Sequence, residues 1–273
     1  MSQAVPCNDE PRAQAVAGRT RPARSLTLVH ASDVHLESDT LGVGASAQLL
    51  REQTRLAFSH VISEAKTLSA DLILIAGDLF DSPRVEQQAF EFAMDEIARA
   101  AMPVVMIPGN HDAHDERSLY GSSQSRLPQN LHVILEPAGK SLSFPGLSLQ
   151  LWGRALVEHS QSYHPLSGMA PPADGLWNVA LAHGLFSEED EPDRSSVISA
   201  AEIEASSYDY IALGHVHVFS DVSRGNTRAA YSGTPAPLSV NRHEGSFALV
   251  RLDPQDGTTV ERRSVRFEEP PRP

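Results

Sequence analysis

The chain has 273 residues, 41% of them hydrophobic, a single cysteine (Cys7) and a net charge of −13. That length supports one sizeable α/β core. One cysteine excludes a disulfide framework and a thiolate metal site; the lack of an apolar run of about 18 residues excludes a transmembrane helix; and the acidic balance argues against a broad nucleic-acid footprint. The first 25 residues hold four arginines against Asp9 and Glu10, so the remainder carries −15. This opening stretch has no apolar signal region and no period, so it reads as a mobile tail, and a cytoplasmic location is expected. Residues 268–273, EEPPRP, read as a second short tail, which leaves 26–267 as the folded domain.

Taken in chain order, SLTLVHAS (25–32) predicts a strand that leads into Asp33 and His35. Residues 47–69 carry Leu50, Ala57, Val61, Ala65 and Leu68 at three- to four-residue spacing, one apolar helix face. ADLILIAG (70–77) predicts a strand that leads into Asp78. Residues 83–101 repeat the helical spacing with Val85, Ala89, Phe92 and Ile97, and Ser82-Pro83 supplies an N-cap and a first-turn proline. MPVVMIPG (102–109) leads into Asn110 and His111, WNVALA (177–182) into His183, and DYIALG (209–214) into His215 and His217. These five runs are short and nearly continuous in apolar residues, as in strands buried on both faces. Strand alternating with helix implies parallel pairing in the first half. LHVILE, KSLSFPGLSLQLWGRA, TRAAYSG and SFALVRLD alternate and are broken by turns, which predicts antiparallel strands in the second half. The expected architecture is α/β, two packed sheets with helices outside.

Each of the five buried runs ends in a residue able to bind a metal. In open α/β sheets, ligands sit beyond the carboxyl ends of the strands, so five such strands point to one site. Asp33, His35, Asp78, Asn110, His183, His215 and His217 offer oxygen and imidazole donors, a set suited to Mn, Fe, Zn or Ni. Seven donors exceed the needs of one tetrahedral ion and suit two ions sharing a carboxylate. Two ions about 3.5–4 Å apart can clamp a phosphoryl group and lower the pKa of a shared water.

In order along the chain these residues form Asp33-Val34-His35, Gly77-Asp78-Leu79-Phe80-Asp81, Gly109-Asn110-His111-Asp112, His183 and Gly214-His215-Val216-His217. The set resembles the calcineurin-like metallophosphoesterases over about residues 26–250. The resemblance implies a four-layer α-β-β-α sandwich of two mixed sheets flanked by helices. It implies that Asp33, His35, Asp78 and His217 hold one metal, and that Asp78, Asn110, His183 and His215 hold a second, with Asp78 bridging. His111 would then lie over the phosphate as general acid, oriented by Asp81, while Asn110 and His111 contact substrate and a bridging hydroxide attacks. Asp112 is expected to fix the turn. Mn2+ is the metal that the resemblance favours.

GDLFD, and YSGTP after GHVH, look most like SbcD-type DNA repair nuclease subunits and their exonuclease-like relatives. Little sequence follows residue 250, so their capping domain and helical partner-binding segment are expected to be absent, which argues against an SbcC-like ATPase partner. Five acids in residues 188–193 follow His183 closely, and the basic candidates Arg117, Arg154 and Arg242 are scattered. The alternative is therefore a small-molecule phosphodiesterase or phosphomonoesterase acting on cyclic nucleotides, nucleotides or head-group diesters. A non-catalytic scaffold is disfavoured because His111 and all seven ligands are present. His30, His60, His114, His132, His159, His164 and His243 match no motif and read as structural or solvated, as does Asp39 near the first motif.

Overall fold

The apolar runs and the helical stripes assemble into two stacked six-stranded sheets in this computed structural model, which describes residues 19–37, 45–114, 120, 126–189, 193–236 and 244–267. The first sheet contains β1 (Leu26–Ala31), β2 (Leu72–Ala76), β3 (Val104–Ile107), β4 (Leu131–Val133), β13 (Glu244–Asp253) and β14 (Gly257–Arg266), in the order β14-β13-β1-β2-β3-β4. The second contains β5 (Lys140–Phe144), β6 (Leu149–Gly153), β7 (Trp177–His183), β10 (Tyr210–Gly214), β11 (Ser220–Asp221) and β12 (Arg228–Tyr231), in the order β11-β12-β10-β7-β6-β5. A ribbon of β8 (Leu185–Ser187) and β9 (Val197–Ser199) stands apart.

Strand alternation explains the layers. Leu26 and Leu28 of β1, with Leu72 and Leu74 of β2, point between the sheets and meet Leu149, Leu151, Trp177, Val179 and Tyr210. Val29, Ala31, Ile73 and Ile75 point the other way, onto α1 (Ala45–Thr67) and α2 (Gln87–Ala100) through Ala57, Phe58, Val61, Phe90 and Ile97. The outer layer of the second sheet is thinner. There Ile203 of the seven-residue α3 (Ala200–Ser206) packs with Trp152, Leu166, Tyr208 and Ile211. So short a helix needs its cap. Ser199 Oγ accepts the Glu202 N–H, and Glu202 accepts the Ser199 N–H in return.

Three features differ from the sequence reading. The strands of the second half are not uniformly antiparallel: β4 runs parallel to β3, and β6, β7, β10 and β12 are mutually parallel. Among these, β4 is an edge strand and β12 lies one place from the edge. Among the described strand pairs, β5–β6, β11–β12, β13–β14 and β1–β13 are antiparallel. Second, α2 begins at Gln87, because Ser82 Oγ accepts the Arg84 N–H at 3.2 Å and so closes a loop turn instead of capping the helix. Third, residues 19–24, read as part of a mobile tail, are held against the body. Arg19 pairs with Asp209, the Thr20 N–H donates to Asp174, and Trp177 Nε1–H donates to the Arg24 carbonyl at 2.7 Å. The rest of that tail and the tail at 268–273 lie outside the described residues, as do Asp39, Arg117, Arg242 and His243. No described helix is long and apolar enough to cross a membrane.

Candidate metal centre

Parallel pairing of β1, β2 and β3, and of β7 and β10, brings five carboxyl ends to one edge of the sandwich. The backbone then turns sharply. Asp33, His35, Asp78 and His215 adopt left-handed φ values of 53°, 52°, 53° and 102°. Each such non-glycine residue costs about 1–3 kcal/mol and persists only where its surroundings hold it. Here backbone bonds hold them: the Asp33 N–H donates to Gly77 O and the His35 N–H to Asp78 O, both at 3.1 Å. The His215 N–H donates to the Asp33 carboxylate, also at 3.1 Å.

All seven sequence-read donors converge. His35 Nε2 and His217 Nε2 lie 3.2 Å apart, and His217 Nε2 is 3.6 Å from Asp33 Oδ1. Asn110 Oδ1 lies 2.9 Å from both His183 Nε2 and His215 Nδ1. His183 Nε2 is 3.4 Å from Asp78 Oδ2. Among the described residues, three groups that could hold an ion share members: Asp33–His35–His217, His35–Asp78–His111, and Asp33–Asp78–His183. Ring nitrogens aimed at one another beside buried carboxylates fit divalent ions, since imidazole and carboxylate are their donors. The ion pairs of Asp33 and Asp78 among the described residues are with histidines, not with lysine or arginine.

Close backbone packing sets the buried side. His183 Nδ1–H donates to the Ala76 carbonyl at 2.9 Å, which leaves Nε2 for the site. A Cβ on Gly77 would lie 2.3 Å from His183 Nδ1, and one on Gly214 would lie 1.8 Å from Ala76 O. Glycine is required at both positions so that the imidazole can lie flat between two chain segments.

Charge distribution follows burial. Burial alone would lower the His183 imidazole, but the Asp78 and Asp33 carboxylates and the Ala76 carbonyl raise it to about 9. Burial opposes ionisation of Asp78, yet His183, His35 and the His111 N–H hold its carboxyl below the usual range. Burial and then the charge of His183 lower His215 to about 4, and burial lowers His217. His111, like His183, is raised, first by its hydrogen bond to Asp81.

Asp81 bonds two rings of the site where one was expected. Its Oδ1 lies 3.2 Å from His111 Nδ1 and 2.9 Å from His35 Nδ1, so one oxygen orients both rings. Asp112 does fix the turn, and it fixes two. Its carboxylate accepts the N–H of Gly109 in its own loop and those of Asp78, Leu79 and Phe80 in the neighbouring one, together with the Tyr120 hydroxyl at 2.5 Å.

Sequence reasoning missed several supports. Ser32 Oγ–H donates to Asp33 Oδ2 and lies 2.9 Å from Ser232 Oγ, so the serine of YSGTP reaches the first motif through a buried hydroxyl pair. The adjacency of Ser32 to Asp33, and the position of Ser232 in YSGTP, were the available signals. His159 lies beside His215 with 5.3 Å between ring centroids, although no motif contains it. Arg154, read as a basic candidate for the site, instead donates to the carbonyls of Pro137, His164 and Ser167 and lies over Tyr163. Glu188 of the acidic run pairs with Arg224.

Known proteins resemble this chain at both levels. The family model described as calcineurin-like phosphoesterase matches residues 26–219. An uncharacterised metallophosphoesterase of Bacillus subtilis, YhaO, is 28% identical over 226 residues, covering 76% of this chain and 52% of that protein. The DNA double-strand break repair protein Mre11 of Methanopyrus kandleri is 27% identical over 271 residues, covering 89% and 57%. A subunit of the SbcCD nuclease of Staphylococcus epidermidis is 26% identical, covering 82% and 66%. The chain thus spans between about half and two thirds of the length of these relatives. Among solved structures, TT1561 of Thermus thermophilus superposes with a TM-score of 0.54 at 13% identity, covering 89% of this chain and 100% of that one. A dimetal phosphatase from Danio rerio superposes at 0.51 and 12%, covering 91% and 100%; both likenesses speak to the fold. Since the family model runs from the start of β1 through the His215–His217 turn, this chain belongs to the calcineurin-like phosphoesterase family.

Proposed function

We propose that the chain is a metal-dependent phosphodiesterase whose substrate is DNA, cut in the manner of an SbcD-like exonuclease. The observation that carries this reading is the convergence of seven donors with His111 beside them. The choice of DNA is supported by the relatives named as Mre11 and as a subunit of the SbcCD nuclease. Asp33, His35, Asp78 and His217 would hold one divalent ion and Asp78, Asn110, His183 and His215 the other, with Mn2+ as the assigned metal. Bound there, two such ions supply positive charge to the phosphoryl oxygens and activation of the attacking water.

The remaining work belongs to this chain. Asn110 and His111 hold a phosphate oxygen. His111, its pKa raised first by the hydrogen bond to Asp81, gives its proton to the leaving alkoxide as the phosphorus–oxygen bond breaks. Ordering of His35 and His111 by one Asp81 oxygen fixes the acid relative to the ligand set.

A second reading, hydrolysis of a small diester or monoester, is favoured by charge. The chain beyond residue 25 carries −15, Arg154 is engaged elsewhere, and Glu188 begins an acidic run close after His183. Such a run disfavours a polyanion more than a small substrate.

A side-by-side Mn2+ assay with bis(p-nitrophenyl) phosphate and with end-labelled single- and double-stranded DNA separates the two. The expected outcome is cleavage of both, with His111→Ala lowering DNA cleavage about a hundredfold or more, because an alkoxide needs a proton. Nitrophenolate needs little protonation, so the small ester should be largely spared. Cleavage of the small ester alone would move the assignment to the second reading.

A further inference from the structure

The loop after β6 carries a histidine to the rim of the ligand set from outside every motif. The His159 and His215 rings are tilted by 35° with centroids 5.3 Å apart, and His159 is exposed. It belongs to none of the three ion-holding groups among the described residues. Its orientation is nonetheless built. Ser196 Oγ lies 3.1 Å from His159 Nδ1. Ser196 is 0% exposed and has a left-handed φ of 54°.

That serine is tied on both sides. Its N–H donates to Ser160 O at 3.0 Å, and its carbonyl accepts the Leu185 N–H at 2.9 Å. Gly184, the residue after His183, approaches so closely that a Cβ there would lie 2.2 Å from the Ser196 carbonyl. The segment behind His183 thus positions Ser196, and Ser196 orients His159. A buried serine in an unfavourable backbone region, bonded to an exposed imidazole, is a costly way to decorate a surface loop. When the Ser196 hydroxyl donates to Nδ1, the neutral ring carries its proton on Nε2.

The ligand set is therefore flanked by two histidines. His111 stands against His35 with ring centroids 4.7 Å apart, and His159 stands against His215. We propose that His159 is a substrate-contacting residue: its Nε2–H donates to an oxygen of the bound phosphoester at the His215 end. It holds the retained part of the substrate while His111 serves the leaving oxygen. This inference rests on the phosphoesterase reading above.

The test compares wild type, His159→Ala, His159→Gln and Ser196→Ala, each as the full chain loaded with Mn2+. Three quantities are read: manganese per chain, calorimetric binding of inorganic phosphate, and the kcat and KM for bis(p-nitrophenyl) phosphate. His159→Ala should keep the wild-type manganese content while weakening phosphate and raising KM about tenfold, the size of one hydrogen bond to a charged group. Glutamine, whose amide reaches the Nε2 position, should restore part of the loss. Ser196→Ala should shift both quantities the same way by less. Unchanged phosphate affinity and KM in His159→Ala overturn the proposal, and so does loss of manganese, which would make His159 a ligand. If wild type binds phosphate but hydrolyses no ester, the functional reading fails while the phosphate series still decides on His159. A wild type that binds no phosphate overturns both.

Discussion

The candidate ligand set has a closed corner and an open one. At the closed corner the side chains of His183 and Asp78 are 0% and 1% exposed, and backbone does the holding: the Ala76 carbonyl on one ring nitrogen, Gly77 and Gly214 against the imidazole. At the open corner His217 and His111 are 38% and 39% exposed, and a side chain, Asp81, holds His111. The difference assigns separate physical duties. Damage at the closed corner should register in folding and metal retention. Damage at the open corner should register in turnover while the fold survives.

Asp78 belongs to both corners, so its loss should be the largest. Asp78→Asn should reduce the metal content below wild type and cut turnover by about three orders of magnitude, the upper range for losing one electrostatic group of a transition state. Elemental analysis beside a diesterase assay checks this; full metal content in the variant would remove Asp78 from its shared position.

Gly214→Ala tests the closed corner alone. The new Cβ has no room against the Ala76 carbonyl and lies 2.7 Å from His183 Nδ1. Overpacking there should destabilise by about 2–3 kcal/mol in urea unfolding. Asp81→Asn tests the open corner, through His111, together with His35. It should cost turnover about 10- to 100-fold, the usual range for a group that orients a histidine of a metal site, with a smaller loss of stability than Gly214→Ala. If the two variants exchanged their signatures, the division into corners would be wrong.

The effect that is smallest at neutral pH concerns a group beneath the site. His30 takes the third inward position of β1 after Leu26 and Leu28, with Nδ1 2.7 Å from the Tyr210 hydroxyl and no partner for Nε2 among the described residues. Burial lowers its pKa from 6.5 to about 3. The unfolded chain therefore takes up this proton first as the medium acidifies. Stability present above pH 6.5 is lost as pH falls toward 3. In His30→Leu the slope of stability against pH in that window should become shallower by up to about 1.4 kcal/mol per pH unit. Denaturant titrations at several pH values measure it, and an unchanged slope would show that His30 is not the group responsible.

Much of this could be read from sequence because the relevant signals are local. Five apolar runs of strand length, each followed at once by Asp, Asn or His, named all seven donors that converge, and the helical spacing placed α1 within two residues. Residue order was enough to tell which strands are buried, which residues end them, and that one edge of the fold collects metal-binding groups, since side-chain chemistry and strand periodicity act between near neighbours. The remainder depends on how the elements are arranged in space. Parallel pairing of β10 with β12, Ser232 reaching Asp33 through Ser32, one Asp81 oxygen shared by two rings, and His159 beside His215 all join residues that local spacing leaves unrelated. A hydrogen bond or ring contact depends on separation in space, and only the stacking of the two sheets brings Ser32 to Ser232 across 200 positions of sequence.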